Sequence, residues 1–370
     1  MNEARSIAGG RRRWAWGIAA LAAAAVLAAI PLARAGAHGG GDNAYVQTNL
    51  VSDVPGAARL TDANLVNPWG LSFGPTTPAW VSDNGMDVST LYSGGFDHMP
   101  VAIAPLVVSI PGGAPTGQVF NGTDDFVIGT GAQMGPARFI FDSEAGQITA
   151  WSPKLVPATS AVSEATVPDA IYKGLAMAST SKGSFLYAAN FHAGTIDVFD
   201  NRFKPIKLGG DFSDPSLPPG YAPFNIQLIG SRLYVSYAQQ DAGKKDDVPG
   251  AGKGFVNVFD RNGHLLKRLI SGGALNAPWG LTLAPDNFGA FSGALLVGNF
   301  GDGTINAYDP STGHFLGSLQ YTDGSQIAIN GLWALRFGNG VAGSPQTLLF
   351  TAGIADEAHG LFGTLEAASP

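Results

Sequence analysis

Asparagine and aspartate recur at one position of a repeated segment, where their oxygen atoms are suited to hold a cation. Short apolar runs end in these residues, as in "LYAANF" at 186 and "LLVGNF" at 295. Alignment of the runs brings together Asn84, Asp142, Asn190 and Asn299. Ca²⁺ takes roughly six to eight such oxygens at about 2.3 to 2.6 Å. One hypothesis is therefore a Ca²⁺ site that polarises a carbonyl or activates water.

The alternative interpretation is structural, because Asn and Asp also cap turns at strand ends. Only one member of the set, Asp142, carries a charge, which weakens the metal hypothesis. Further polar residues lie in or directly behind the same column and form its expected rim: Glu144, Tyr237 and Asp302.

Two histidines are weak candidates for acid–base catalysis, since histidine titrates near neutrality. His192 follows the column in one repeat, at a turn where the fifth repeat has Gly301. His359 lies in the "IADEAH" loop, with Asp356 or Glu357 as its expected partner. The competing interpretation is a solvated turn, because nothing in the sequence shows that these groups meet.

The segments that position these residues repeat six times. A short turn and an alternating strand, such as "NPWGLSF" at 67 or "APWGLTL" at 277, precede each apolar run, and a turn and a third strand such as "TINAYD" follow it. Alternation of apolar and polar residues between turn clusters is typical of strands. Six units of roughly 55 residues predict an all-β fold, a six-bladed β-propeller with four-stranded blades.

The two ends of the chain are expected to complete one blade. The last unit stops one strand short after "GLFGTL" at 360, while "YVQTNLVSD" at 45 stands alone before the first unit. Pairing them closes the ring and removes the free edges of an open fan.

Several strings resemble a family of uncharacterised exported bacterial proteins related to NHL-repeat propellers. They are "NPWGLSF", "YKGLAMA", "LNAPWGLTLAPDNFGAFSGALLVGNFGDGTINAYD", "GLWALRFG" and "FTAGIADEAHGLFG". The resemblance implies a six-bladed propeller and brings no assigned activity or catalytic residue. Some members end in a Pro-Glu-Pro sorting tail, which "LFGTLEAASP" does not match.

Composition excludes several classes of protein. The chain of 370 residues has 45% hydrophobic and 13% charged residues and a net charge of −7, so it is globular and has no basic patch for nucleic acid. It contains no cysteine, which excludes disulfides and thiolate chemistry. It also lacks a nucleophile elbow, a zinc-protease helix and a phosphate-binding loop.

The N-terminus reads as a targeting segment. Three arginines at 11–13 precede an Ala- and Leu-rich run over 14–32, and small-residue cleavage patterns follow. We expect a signal peptide over 1–37, by the general or the twin-arginine route, and one propeller domain over 38–370. An uncleaved anchor is the alternative. The prediction is an exported periplasmic or extracellular monomer with no membrane span after cleavage.

Two insertions interrupt the repeat, and we expect them to serve binding, since long loops on rigid scaffolds often carry function. They are "NGTDDFVIGTGAQMG" at 121 and "QQDAGKKDDVPGAGKG" at 239. The favoured function is a binding or scaffold module that holds a protein or glycan at the top face of the channel. The alternatives are a Ca²⁺-dependent hydrolase or lyase of the lactonase-like propeller type and a structural envelope or matrix component.

Overall fold

Six small antiparallel sheets form the molecule, which confirms the predicted six-bladed β-propeller. The computed structural model describes residues 42–368; the predicted signal peptide over 1–37 lies outside them. Three single-turn 3-10 helices, Asn84–Met86, Gly131–Gln133 and Gly289–Phe291, are the helical elements of the described part. No helix there is both long and apolar enough to cross a membrane.

The strands are numbered along the chain, and each blade lists its innermost strand first. An N-terminal pair precedes the blades: β1 (Tyr45–Ser52) and β2 (Leu60–Thr61). Blade 1 contains β3 (Pro68–Ser72), β4 (Ala79–Asp83), β5 (Val88–Ser93), β6 (Ala102–Ile103) and β7 (Val108–Ser109). Blade 2 contains β8 (Pro115–Phe120), β11 (Phe139–Ser143), β12 (Gln147–Trp151) and β13 (Val162–Thr166), with a ribbon of β9 (Val127–Ile128) and β10 (Gly135–Pro136) between its first two strands. Blade 3 contains β14 (Tyr172–Thr180), β15 (Gly183–Asn190), β16 (Thr195–Phe199) and β17 (Pro205–Ile206).

The remaining blades follow the same order. Blade 4 contains β18 (Tyr221–Ile229), β19 (Arg232–Gln239), β20 (Phe255–Phe259) and β21 (Leu265–Ser271). Blade 5 contains β22 (Pro278–Leu283), β23 (Leu295–Asn299), β24 (Ile305–Tyr308) and β25 (Phe315–Ser318). Blade 6 contains β26 (Leu332–Phe337), β27 (Leu348–Ala352) and β28 (Leu361–Ala367), followed by β1 and β2.

The two ends of the chain pair as predicted. Strand β1 runs antiparallel to β28, from Tyr45 opposite Ala367 to Ser52 opposite Leu361. The Ser52 hydroxyl also donates a hydrogen bond of 2.7 Å to the carbonyl of Gly360. The N-terminal strand thus supplies the fourth strand of blade 6 and closes the ring.

Large side chains fill the space between neighbouring blades. Trp80 of blade 1 stacks on Phe139 of blade 2, with ring centroids 4.0 Å apart, and Trp151 packs beside them. All three side chains are buried. Such contacts account for the alternation of apolar residues along each strand, because both faces of a blade meet a neighbour.

The recurring glycine of the inner strands is explained by close approach of the blades around the axis. A Cβ atom at Gly280 would lie 2.7 Å from the carbonyl oxygen of Trp333 in blade 6. At Gly70 it would lie deep inside contact distance of the Thr116 carbonyl oxygen in blade 2. Both contacts are with backbone, which cannot rotate away, so only glycine fits.

The two inserted loops lie on opposite faces of the ring. We define the upper face as the one where each inner strand begins and each second strand ends. The 240–254 loop connects β19 to β20 and lies on this face. The 121–138 loop connects β8 to β11 and therefore lies on the lower face. The expectation that both insertions serve the top face is wrong, because they follow different strands of their blades.

We expect Gly70→Ala to destabilise the protein by about 1–3 kcal/mol, because the new methyl group forces two inner strands apart. Urea unfolding followed by tryptophan fluorescence measures this loss. The control is Gly209→Ala, where the nearest atom to a Cβ would be in His264 at 3.4 Å, an ordinary contact. Equal stability of the two variants would contradict the crowding argument.

Candidate functional site at the upper mouth of the channel

Aromatic side chains from different blades meet on the axis and fill the channel. Trp69 stacks on Trp333 with centroids 3.5 Å apart, and Phe300 stacks on the same ring at 4.0 Å. Trp279 meets Trp69 edge-on at 6.3 Å. Because these residues belong to blades 1, 5 and 6, their contacts place them at the centre of the ring. We call this cluster, with Phe224 of blade 4, the aromatic plug.

A β-bulge in each blade aims these side chains. The register between inner and second strand shifts in all six blades, next to the position occupied by Trp69, Trp279 and Trp333. A bulge bends a strand locally and redirects a side chain. The tryptophans are buried, and they pack on the axis itself instead of between the faces of neighbouring sheets.

Lys173 occupies the equivalent position in blade 3 and is the centre of the site. Its side chain is only 2% exposed, and its Nζ lies 2.5 Å from Oε1 of Glu144 and 3.5 Å from Oδ1 of Asp246. The ammonium lies 4.9 Å from the centroid of Trp69 and 6.0 Å from that of Phe191. It therefore stands between the aromatic plug below and carboxylates above.

Four carboxylates belong to this site, and we call them the carboxylate cup. Glu144 comes from the turn after β11, Asp246 and Asp247 come from the 240–254 loop, and Glu357 comes from the loop after β27. Two asparagines at the start and end of the first hairpin of blade 1 connect the cup to the plug. Asn67 donates to Glu357 at 2.7 Å and accepts from Nε1 of Trp333 at 3.1 Å, while Asn84 donates to Glu144 at 3.4 Å.

Burial and mutual repulsion separate the pKa values of the cup. Burial, opposed by Lys173 and reinforced by Glu357 and Asp246, raises the pKa of Asp247 to about 7. Burial, together with the charges of Glu144 and Asp246, also raises the pKa of Glu357. For Glu144, burial is outweighed by the charge and hydrogen bond of Lys173, so its pKa is lowered. Lys173, with a smaller contribution from Lys245, thus stabilises the charged form of Glu144, while the pKa values of Asp247 and Glu357 stay raised.

The residues proposed as metal ligands have separate positions. In blade 1 the residue paired with the start of the inner strand is Asp83, opposite Pro68, and in blade 2 it is Ser143, opposite Pro115. The aligned column contains Asn84 and Asp142 instead, each one residue away. Asn84 reaches the carboxylate cup through its contact with Glu144. The other three form hydrogen bonds within their own blades. Asp142 accepts from the Thr116 hydroxyl and the Gly117 amide of the inner strand. Asn190 donates to Asp197 and accepts from the Ala193 amide, and Asn299 donates to Thr304 and accepts from the Asn276 amide.

Within residues 42–368, no three His, Asp or Glu side chains are grouped so that they could hold a metal ion. Glu144 is bound to Lys173 and Asn84, and Glu357 is bound to Asn67. The Ca²⁺ hypothesis remains a prediction.

The histidines differ from their expected pairing. His359 Nδ1 lies 2.7 Å from Oδ2 of Asp53, a residue of the N-terminal segment, while Glu357 turns to Asn67. Asp356 is exposed. His192 is half-buried beside the 240–254 loop, where its carbonyl accepts a weak hydrogen bond from Gln240, and its Nδ1 has no partner among the described residues.

The two remaining rim residues, Asp302 and Tyr237, have the surroundings of residues that stabilise the fold. Asp302 is exposed and accepts hydrogen bonds from Asn276 and Thr304 in its own blade. Tyr237 is buried, and burial raises the pKa of its hydroxyl.

Sequence reasoning missed Lys173, Asp246 and Asp247 as site residues. The signal for Lys173 was its position, since "YKGLAMA" places a cation where three blades have tryptophan. A charge at a position that is otherwise aromatic indicates a buried partner. The two aspartates lie in a loop that lacks the spacing of an EF-hand, and the loop alone does not show that Lys173 is their partner.

Comparison with known proteins shows relatives in a virus. "Uncharacterized protein R648" of Acanthamoeba polyphaga mimivirus is 32% identical over 330 residues, which cover 85% of this chain and 78% of that protein. "Uncharacterized protein L690" of the same virus is 33% identical over 77% of each chain. No family model matches the chain. The resemblance stated from the sequence was to bacterial proteins, whereas these relatives are viral.

Solved structures with a similar arrangement of strands have low identity. A streptogramin B lyase aligns with a TM-score of 0.47 and 12% identity over 88% of this chain and 97% of the other. A putative gluconolactonase aligns with a TM-score of 0.38 and 16% identity over 62% and 83%. These values carry no argument about activity.

We expect Lys173→Met to cost about 3–5 kcal/mol of unfolding free energy, since it leaves Glu144 buried without a counter-charge. Urea unfolding at neutral pH measures the loss. The double variant Lys173→Met/Glu144→Gln removes both charges and is expected to recover much of it. Additive losses in the two single variants would contradict a coupled pair.

Asp142 is expected to make stability fall as the pH rises from about 4 to 7. Burial raises its pKa in the folded state to about 7. In that range the unfolded chain has released the proton and the folded chain keeps it, so each pH unit costs up to about 1.4 kcal/mol. Asp142→Asn removes this slope. Urea midpoints across the range test it, and an unchanged difference between variant and parent would show that Asp142 titrates normally when folded.

Proposed function

We propose a function from the site itself, because the chain belongs to the family of the mimivirus proteins described above, whose members are uncharacterised. The protein is an exported six-bladed propeller that binds a ligand bearing an ammonium group in the carboxylate cup. Export rests on the arginine-preceded apolar run over 14–32 and on the resemblance to exported bacterial propellers. Binding rests on the charge balance at the upper mouth.

The observation that carries the proposal is the excess of carboxylates at the upper mouth over its two lysines, the buried Lys173 and the exposed Lys245. Four carboxylates approach the site, and Lys173 is its one buried cation within residues 42–368. Burial is the main cause that raises the pKa values of Asp247 and Glu357, and repulsion from the neighbouring carboxylates adds to it. A second cation relieves that repulsion, and clefts lined by one sign of charge concentrate ligands of the other sign.

The surroundings of Lys173 also indicate which kind of cation the site can bind. Its ammonium already lies between an aromatic face and a carboxylate, at 4.9 Å from Trp69 and 2.5 Å from Glu144. Aromatic faces and carboxylates together are favourable surroundings for ammonium groups. A ligand ammonium in the cup comes under the charges of Asp246, Asp247 and Glu357, which act on one another and on Lys173.

The 240–254 loop supplies half of the cup and is tied to the scaffold. Gln240 donates to the carbonyl of Phe191 at 2.5 Å, and the Gly250 amide donates to Asn276 at 2.6 Å. The amide of Asp241 closes a hairpin on the carbonyl of Asp246 at 2.8 Å. Such anchoring at both ends favours a preformed lip, which lowers the entropic cost of binding.

A second candidate is a hydrolase or lyase in which Asp247 is the general acid or base. Its pKa of about 7 suits proton transfer at neutral pH, and its Oδ2 is buried with no partner among the described residues. The metal-dependent form of this candidate requires Ca²⁺, although within residues 42–368 no three acidic or histidine side chains are grouped to hold it. Stoichiometric calcium that survives dialysis, with a fall in melting temperature on chelation, would favour that form over an organic cation.

We expect cadaverine to bind measurably by isothermal titration calorimetry and 1,5-pentanediol, its neutral counterpart of equal length, not to bind. Affinity rises with pH through about 7, because Asp247 gains its charge there. Glu357→Gln is expected to weaken binding about 5- to 10-fold, or about 1–1.4 kcal/mol.

The matched control is Asp286→Asn, which removes one exposed charge in the loop between β22 and β23 on the lower face. Equal affinity of Glu357→Gln and Asp286→Asn would show that only net charge acts. Equal heats for the diamine and the diol would remove the proposed function.

A further inference from the structure

A second charged site lies on the axis below the aromatic plug. Arg336 is in the inner strand β26, three residues beyond Trp333 in the direction of the lower face. It lines a cavity that inner strands of all six blades enclose: Gly70, Gly117, Leu175, Asn225, Gln227, Trp279, Gly280, Ala334 and Leu335 contribute to the wall. The cavity is therefore central, at the opposite end of the channel from the carboxylate cup.

The guanidinium of Arg336 has no hydrogen bond or ion pair with the described residues, although it is half-buried. Its one close partner is the ring of Phe73, whose centroid lies 5.0 Å from Cζ. Burial lowers its pKa, yet arginine stays protonated in proteins. A partly buried charge without a partner is unfavourable, so this position favours a negative counterpart.

The acids of the channel cannot supply that counterpart. The carboxylate cup lies above the aromatic plug, and Arg336 lies below it. The tryptophan rings fill the axis between them, with contacts of 3.5 to 6.3 Å. The negative partner must therefore enter from the lower face.

A second polar group faces the same cavity. Gln227 of β18 lines it, and the side-chain amide of Gln227 forms no hydrogen bond within residues 42–368. Its NH₂ group can donate two hydrogen bonds, and the guanidinium can donate five. These donors outnumber the unpartnered acceptor that also lines the cavity, Oε1 of Gln118, so an acceptor with negative charge satisfies both side chains.

The size of the cavity limits the ligand. Its volume of about 20 Å³ holds roughly one water-sized particle. A carboxylate or phosphate group is larger, whereas a monatomic anion is of that size.

From these observations we propose that Arg336 and Gln227 form a binding site for a single halide ion, chloride under ordinary conditions, at the lower end of the channel. The ion neutralises the guanidinium and holds the inner strands of blades 4 and 6 from the inside. It is a structural anion, separate from the ligand site above the plug.

The test compares unfolding of the mature protein in sodium chloride, sodium bromide and sodium gluconate at equal ionic strength. Gluconate is too large for the cavity, so it controls for screening. We expect chloride and bromide to stabilise the parent relative to gluconate. At a chloride concentration about ten times the dissociation constant, the folding equilibrium constant rises about tenfold.

The variant Arg336→Met is expected to lose the difference between chloride and gluconate, and Gln227→Leu to reduce it. Arg232→Met, which removes an exposed arginine of β19, is expected to keep it. Because the readout is a difference between salts, a change in the stability of a variant itself does not obscure it. If Arg336→Met does not fold, Gln227→Leu carries the test.

Crystals soaked in bromide give a direct second measurement. An anomalous peak within hydrogen-bonding distance of the Arg336 guanidinium supports the site. Equal stability of the parent in chloride and gluconate, or an unchanged difference in Arg336→Met, would overturn the proposal. Bromide found only on the outer surface would also overturn it.

Discussion

Crowding at the axis is the constraint on which the rest of the structure depends. Six inner strands converge there, and their backbones approach so closely that Gly70 and Gly280 leave no room for a methyl group. The bulge that each of these strands carries turns one side chain per blade into the remaining space. Flat rings fill it in blades 1, 4, 5 and 6, and blade 3 supplies Lys173. Packing at the centre thereby decides where the one buried ammonium stands.

The same plug divides the channel into two chemically different ends. Above it, the carboxylate cup surrounds Lys173 and carries excess negative charge. Below it, the donors of Arg336 and Gln227 have no partner in the part of the chain that the structure describes. Because the rings exclude water between them, the two ends do not neutralise each other. The fold thus provides two blind recesses of opposite polarity rather than a passage.

The fold was predictable from sequence because backbone pairing imposes a period that survives variation of the side chains. Six turn-and-strand units and a lone N-terminal strand predict six blades and their closure, and the structure has both. The site was harder to predict because it depends on register. A shift of one residue exchanges Asn84 for Asp83 at the end of the second strand of blade 1. The bulges that set this register leave no mark in the alternation of apolar and polar residues along the sequence. The contact between Asp246 and Lys173 joins blades 3 and 4 through a loop, so no local signal predicts it.

The pairing of β1 with β28 also has a mechanical consequence. Tyr45 stands opposite Ala367, so the first and last paired residues of the ring are neighbours at the same end of the ladder. A force applied between the two termini opens this ladder one residue pair at a time, like a zipper, instead of shearing all its hydrogen bonds together. A molecule pulled by both termini therefore opens first at blade 6, under a low force. A molecule attached by one terminus places no load on the pairing of β1 with β28.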